Sequence, residues 1–159
     1  MSDSKFKTMR HIETVRNYLD YVIREIIRRQ EQHDQTKLEP PEVEIFEEYT
    51  PKLRDCTYGS SEYRKYMDEM KIAIDHHNAS YRHHPEHHDR GIHGMSLIDL
   101  IEMLCDWKAA SLRHNDGDLM KSIEINQNRF GYSDELKGIL INSAEYLNFI
   151  KIFHKAEES

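Results

Sequence analysis

The sequence predicts an all-α fold: a single compact helical bundle of about five to seven helices. Two observations support this prediction. Apolar residues recur at helical spacing in several segments, beginning with one from about Thr8 to about Arg29. No segment alternates polar and apolar residues at the period of two that marks a strand. The 159 residues include no linker or internal repeat, so we predict one domain over 1–159 with an ordered core at about 8–154.

The first predicted helix carries an apolar stripe formed by Ile12, Val15, Leu19, Val22, Ile23, Ile26 and Ile27. Pro40 and Pro41 then break the chain, and a second helix is predicted from Pro41 to about Tyr49. Residues 50–60 are predicted to form a loop because they combine proline, glycine and polar side chains.

A third helix is predicted to begin near Ser61 and to lead into a histidine-rich run at 76–88, where Pro85 interrupts it. After the next loop, Ser96 is a predicted N-cap with Asp99 three residues later as a capping box. A break at 115–118 precedes a helix to about Asn128, and the last helix covers about 134–154.

Composition excludes some classes of function. The chain has 22 Lys and Arg against 29 Asp and Glu, a net charge of -7, which argues against a general nucleic-acid binder. A small anionic substrate stays possible if a metal or local basic residues offset this charge. Two cysteines without metal-site spacing indicate a reduced, cytoplasmic protein. The sequence has no apolar run long enough for a membrane span and no apolar signal-peptide core, so we predict neither.

Histidine is unusually frequent: the chain has 11. Such residues can form a solvated patch or a metal site. They occur in an ordered set with carboxylates, namely His11, the pair His33-Asp34, His76-His77, His83-His84 and Asp106. Imidazole and carboxylate suit Zn, Mn, Fe or Co, and helical bundles hold such ions with ligands from several helices.

Two details bear on this hypothesis. A straight helix rises about 1.5 Å per residue, which would separate His11 from His33 by roughly 33 Å. A shared metal therefore requires a turn near residues 30–32, although no glycine or proline marks one. Among the doubled histidines, His77 continues an apolar helix face and His84 follows seven residues later. We take these two as metal ligands and leave His76 and His83 as supporting or exposed groups.

Five further residues are open to two interpretations each. A buried carboxylate at Asp106 would be costly unless it were paired or bound a metal. Glu42 either orients a ligand or water, or sits at a helix N-terminus, where acidic residues are favoured. Lys37, Lys108 and Arg113 could bind phosphate or belong to a solvated face.

The ordered pattern resembles the HD-domain superfamily of metal-dependent phosphohydrolases, which reads H…HD…D. The segment HDQTK (33–37) fits the HDxxK variant, and HHPE (83–86) is similar to the paired histidines of the HD-GYP subgroup, although GIHG (91–94) replaces the GYP tripeptide. A closer resemblance is to a small HD-like family of unknown function with the pattern H…HDxSKxxPxE…HHxxxxHH…EMxxDW. The matching residues are His11, His33, Asp34, Thr36 in place of serine, Lys37, Pro40, Glu42, His76, His77, His83, His84, Glu102, Met103, Asp106 and Trp107.

The resemblance implies a metal-dependent phosphohydrolase acting on a small phosphate ester, for which we expect a nucleotide. It implies one or two divalent ions, from among Mn, Fe, Co, Zn, Ni and Mg, held by His11, His33, Asp34, His77, His84 and Asp106. Asp34 would also be catalytic, and Lys37 would face the phosphate with Lys108 and Arg113 as further substrate-binding groups. Glu42, His76 and His83 would support the ligands. An HD-like di-iron oxygenase and a non-enzymatic, metal-stabilised helical module are the alternatives. The sequence does not set the oligomeric state.

Overall fold

The computed structural model describes residues 3–56, 60–112 and 117–150. Within these ranges the protein has seven α-helices and no strand, so the predicted all-α class is confirmed. The residues group into two compact units, Met1–Tyr81 and Arg82–Ser159, which are described in turn.

The first unit contains four α-helices: α1 (Asp3–Gln32), α2 (Glu42–Asp55), α3 (Ser61–Glu69) and α4 (Lys71–Ser80). A short 3-10 helix, Gln35–Leu38, joins α1 to α2. Helix α2 packs against both α4 and this 3-10 helix. The packing therefore brings residues that are far apart in sequence to one place inside the first unit.

Helix α1 continues without a break through Gln32, so the turn predicted near residues 30–32 is wrong. The chain turns at His33 and Asp34 instead, where Asp34 adopts the left-handed conformation with φ 56 and ψ 17. Aspartate is one of the few residues besides glycine that visit this region readily, because its short side chain can hydrogen-bond locally. The turn is therefore carried by a residue that a search for glycine or proline misses.

The position of the turn removes His11 from the predicted metal site. His11 is exposed on α1 and lies about 32 Å along the helix axis from Gln32, at about 1.5 Å per residue. It cannot share an ion with His33, which follows Gln32 directly. The ligand role that the sequence suggested for His11 is therefore corrected.

Two other boundaries differ from the prediction. Helix α2 extends through Pro51 to Asp55, across part of the predicted loop, although a proline inside a helix removes one backbone hydrogen bond. Helix α4 ends at Ser80, so the helix does not persist to His84. The seven-residue spacing of His77 and His84 is thus not two turns of one helix.

The second unit contains α5 (Leu97–Ser111), α6 (Leu119–Phe130) and α7 (Asp134–Tyr146), after two 3-10 helices at Pro85–His87 and Gly91–Gly94. Helix α6 packs against both α5 and α7. Their apolar faces enclose a core of buried side chains: Ile92, Met103, Leu104, Leu119, Ile123, Tyr132, Leu140 and Ala144. The predicted extension of the last helix to 154 fails within the described residues, since α7 ends at Tyr146, and residues beyond 150 lie outside the described part.

The start of α5 confirms the predicted capping box. The Ser96 hydroxyl accepts from the Asp99 backbone N–H, and the Asp99 carboxylate accepts from the Ser96 backbone N–H. Asp99 is buried, and Arg82 donates to both of its oxygens from Nε at 3.2 Å and Nη2 at 3.1 Å. Burial alone raises the pKa of Asp99, but the hydrogen bonds from Ser96 and Arg82 outweigh it and hold that pKa below its usual value.

We expect Asp99→Asn to lower the free energy of unfolding at neutral pH by about 1–3 kcal/mol. The variant loses the charge of the capping carboxylate and its ion pair with the Arg82 guanidinium. The lowered pKa means that this contribution is complete above the unfolded-state pKa of about 3.9 and is lost as pH falls below it. Urea unfolding at pH 7 and at pH 3 measures the effect. The difference between wild type and variant should shrink at the lower pH, and a constant difference would contradict the assignment.

None of the helices in the described part of the chain combines the length and apolarity needed to cross a membrane.

Candidate metal centre

Asp34 is the centre of a cluster in the first unit. Lys37 Nζ donates to Asp34 Oδ2 at 2.6 Å. His77 Nε2 lies 3.2 Å from Asp34 Oδ1, and His33 Nε2 lies 3.6 Å from Oδ2. The structure therefore brings together four of the residues that the sequence singled out, from the α1–α2 connection and from α4.

The charge state of Asp34 follows from these contacts. Burial raises the pKa of the carboxyl group, but the His77 imidazole and the Lys37 ammonium lower it by more. The pKa of Asp34 therefore lies well below its usual range, and the side chain is an anion at neutral pH. An ionised carboxylate is the form that binds metal ions.

Glu42 positions two imidazoles at once. This side chain is fully buried at the start of α2, and its two oxygens lie 2.7 Å from His76 Nδ1 and 2.9 Å from His77 Nδ1. When neutral His77 donates its Nδ1–H to Glu42, the lone pair on Nε2 faces Asp34. His77 is buried, whereas the His76 side chain is 45% exposed. Of the two neighbouring histidines, His77 is the one in contact with Asp34.

Two aromatic residues that the sequence analysis did not single out border the cluster. The Tyr81 hydroxyl accepts from the Thr36 backbone N–H at 2.7 Å, and its ring centroid lies 4.9 Å from that of His77. Lys37 Nζ lies 5.7 Å from the centre of the Phe46 ring. These contacts hold the 3-10 helix and the Lys37 side chain beside Asp34. No local sequence signal distinguishes these two residues from other aromatic residues of the core.

We expect Glu42→Gln to cost about 1–3 kcal/mol of stability, because an amide has one acceptor oxygen where the carboxylate serves two imidazoles. Metal affinity should fall about 10–100-fold, the usual effect of removing a group that orients a ligand. Urea unfolding and metal titration measure the two effects, and NMR of the imidazole nitrogens reports the His77 tautomer. Glu44→Gln, in the first turn of the same helix but exposed, is the control. Equal behaviour of the two variants would refute a positioning role.

A second group of predicted residues lies in the second unit. His83 is fully buried, and its Nδ1 lies 3.1 Å from Glu102 Oε1 on α5. The centroids of the His83 and His84 rings are 4.1 Å apart. Asp106 is half-buried one helical turn after Glu102. Glu102 was matched by the resemblance but not proposed as a site residue, although its spacing of four from Asp106 places both on one face.

The carboxylates on this part of α5 affect a neighbouring thiol. Partial desolvation raises the pKa of the exposed Cys105 thiol, and Glu102 and Asp106 raise it further. Lys108 is half-buried in the last turn of α5. Arg113, the other predicted substrate-binding residue of this segment, lies outside the described residues.

The fold and the residues define the class: this is an all-α protein whose described residues include imidazole and carboxylate groups that could hold a metal ion. A family model described as "Family of unknown function (DUF5662)" matches residues 1–155, and the chain belongs to that family. No curated protein matches the chain, and no solved structure does.

Proposed function

We propose that the protein is a metal-dependent phosphohydrolase that acts on a small phosphate ester, and that this ester is a nucleotide. The observation that carries this proposal is the Asp34 carboxylate, which faces a lysine ammonium with one oxygen and a buried imidazole with the other. A carboxylate that can bind a cation, next to a lysine ammonium, suits phosphoryl transfer. The reason is that negative charge on several phosphoryl oxygens must be neutralised in that reaction.

The residues fit a divalent ion. His77 Nε2 and Asp34 Oδ1 lie 3.2 Å apart and share a hydrogen-bond proton in the absence of metal, and a divalent ion would take the place of that proton between the two atoms. Two ligand atoms at about 2.0–2.2 Å from one first-row ion lie roughly 3 Å from each other, which agrees with this separation. His33 offers a third donor atom. The HD-domain resemblance implies His84 and Asp106 as further ligands, and these two stay predictions of the sequence.

An ion bound there would supply a water of lowered pKa and a positive charge beside the phosphoryl group. Asp34 would bind the ion as an anionic ligand, and it could also take the proton from the attacking water. Lys37 would exchange its contact with Asp34 for one with a phosphoryl oxygen. Glu42 would keep His77 in the orientation that presents Nε2.

The substrate class rests on resemblance and on charge. The chain is acidic overall, with a net charge of -7, so an anionic substrate needs local positive charge. Lys37 supplies it in the first unit, 2.6 Å from Asp34. Lys108 is a second candidate for substrate binding, on α5.

The test measures metal content and phosphate release with the full-length protein purified without a histidine tag. Nucleotides and other phosphomonoesters are supplied with Mn, Co, Zn, Ni, Mg or Fe. We expect bound metal near one or two equivalents and release of phosphate from a nucleotide. Asp106→Ala and His84→Ala should each lower the metal content, which tests the ligands implied by resemblance.

Other results would replace the proposal. Bound iron together with oxygen consumption, and no phosphate release, would identify the di-iron oxygenase. A metal whose chelation lowers stability while no substrate is turned over would identify the non-enzymatic module. The absence of binding to any of these ions would exclude every metal-dependent hypothesis.

A further inference from the structure

Helix α1 presents an apolar face that the other described residues of the first unit leave exposed. The α1 stripe is defined here as Ile12, Val15, Leu19, Val22, Ile23 and Ile26. Five of these side chains are 42–54% exposed, Ile26 is half-buried, and no residue of α1 is buried. A surface helix normally turns such a stripe towards a core or a partner.

The spacing of the stripe indicates a helical partner. Ile12, Val15, Leu19, Val22 and Ile26 follow one another at intervals of 3, 4, 3 and 4 residues. This is the a/d repeat of a coiled coil, in which a second helix inserts its side chains between those of the first. The β-branched residues and the leucine are those found in the seams of such pairs.

We propose that α1 pairs in antiparallel orientation with α1 of a second copy of this chain. With Met9 and Ile27, the exposed fractions of the α1 stripe amount to about 700 Å² per copy, or about 1,400 Å² for the pair. Stable interfaces bury about 1,200–2,000 Å² in total. Together with Met9 and Ile27, the α1 stripe is therefore large enough for a dimer, and a two-fold interface requires only that one surface complement itself.

Charge favours the antiparallel orientation. A pair centred near Asn17 places Ile12 opposite Val22 of the second copy, and Val15 opposite Leu19. Arg16 and Asp20 lie one turn apart on the same flank of the stripe, so each Arg16 comes near both Asp20 and Arg16 of the other copy, and the two Arg16–Asp20 attractions outweigh the one Arg16–Arg16 repulsion. A parallel pair would instead place Arg16 beside His11 of the second copy, without such attraction.

The charges of α1 do not suit a membrane surface. Its seven basic residues are mixed with five acidic ones, and pairs such as Lys7–Asp3 and Arg28–Glu25 form along the helix. Helices that bind anionic membranes carry predominantly Lys and Arg on the polar face. A protein partner of mixed charge therefore fits better, and the same helix of a second copy has that character.

The first test is the mass of the full-length protein in solution, by light scattering and sedimentation over a range of concentrations. We expect about 38 kDa, twice the 19.0 kDa of one chain. Leu19→Glu should shift the mass to that of one chain, since it places a carboxylate in the seam. Asn17→Glu, which adds the same charge on the opposite face of α1, is the control and should stay dimeric.

The second test depends on charge alone, so it remains decisive if Leu19→Glu fails to fold. Arg16→Asp and Asp20→Arg should each weaken dimerisation because like charges then face each other. An equimolar mixture of the two variants should dimerise more tightly than either alone, since both pairs are restored between unlike copies. A monomer at all concentrations, a dimer insensitive to Leu19→Glu, or a monomer that binds anionic phosphatidylserine vesicles would each overturn the proposal.

Discussion

Asp34→Asn is expected to lose metal binding and turnover together. The variant keeps the shape of the side chain, and asparagine tolerates the left-handed backbone conformation that Asp34 adopts at φ 56. It removes the negative charge that lies 3.2 Å from His77 and 2.6 Å from Lys37. We expect turnover of the best substrate to fall at least about 100–1,000-fold, the effect of deleting one group that stabilises the transition state. The fold should stay helical.

The measurement is metal content by elemental analysis, steady-state kinetics and circular dichroism on the same preparation. Asp75→Asn is the matched control, because Asp75 is an exposed carboxylate in the same unit that also pairs with a lysine, Lys71. The control should keep both metal and turnover. If Asp34→Asn retains full metal content, Asp34 is not a ligand and the proposed centre is wrong.

The parts of the fold that could be predicted are those with a local chemical cause. Ser96 and Asp99 cap α5 through contacts three residues apart, so the capping box is visible in sequence and is confirmed. Pro51 contributed to the prediction of a loop at residues 50–60, and that prediction is wrong for residues 50–55, which belong to α2. Helix α2 continues through it because the helix also packs against α4, which outweighs the loss of one hydrogen bond.

In the candidate site, too, the contacts between residues close in sequence could be predicted, and the contacts between distant residues could not. His33, Asp34 and Lys37 are close in sequence, and their proximity in the structure follows from one turn and one 3-10 helix. The contact of Glu42 with His77 joins residues 35 positions apart, so sequence alone left its role open between a ligand-orienting group and an acidic helix start. Only the packing of α2 against α4 brings the two side chains together.

The error on His11 has a general cause. Hydrophobic periodicity shows that a helix has an apolar face, but it does not show what covers that face. His11 was assigned to the metal site because it is the first residue of the ordered set that resembles the HD-domain pattern, and that role requires the apolar stripe beside it to be covered. The stripe is exposed, and the turn lies beyond Gln32, so the residue is far from Asp34. The same stripe becomes informative once it is considered as an interface between two copies.

Lys37→Ala is expected to separate catalysis from metal binding. Lys37 Nζ donates to Asp34 Oδ2, so in the absence of metal its ammonium occupies one oxygen of the proposed ligand. Removing a cation from that position removes a competitor for the carboxylate. Metal affinity should therefore be equal to or higher than that of the wild type. Turnover should fall roughly a hundredfold or more, because the charge that would neutralise the phosphoryl oxygens is missing.

The two variants together distinguish the proposed reaction from its alternatives. In a phosphohydrolase, Lys37→Ala lowers kcat with metal in place, whereas Asp34→Asn loses both. In an oxygenase, Lys37 would contribute only to binding an anionic substrate, and its loss would raise KM with kcat little changed. Lys71→Ala removes an exposed lysine that pairs with a carboxylate on α4, and it should leave metal content and kcat as they are. Metal titration and full kinetics on Lys37→Ala decide the matter, since a wild-type kcat in that variant would exclude Lys37 from the chemistry.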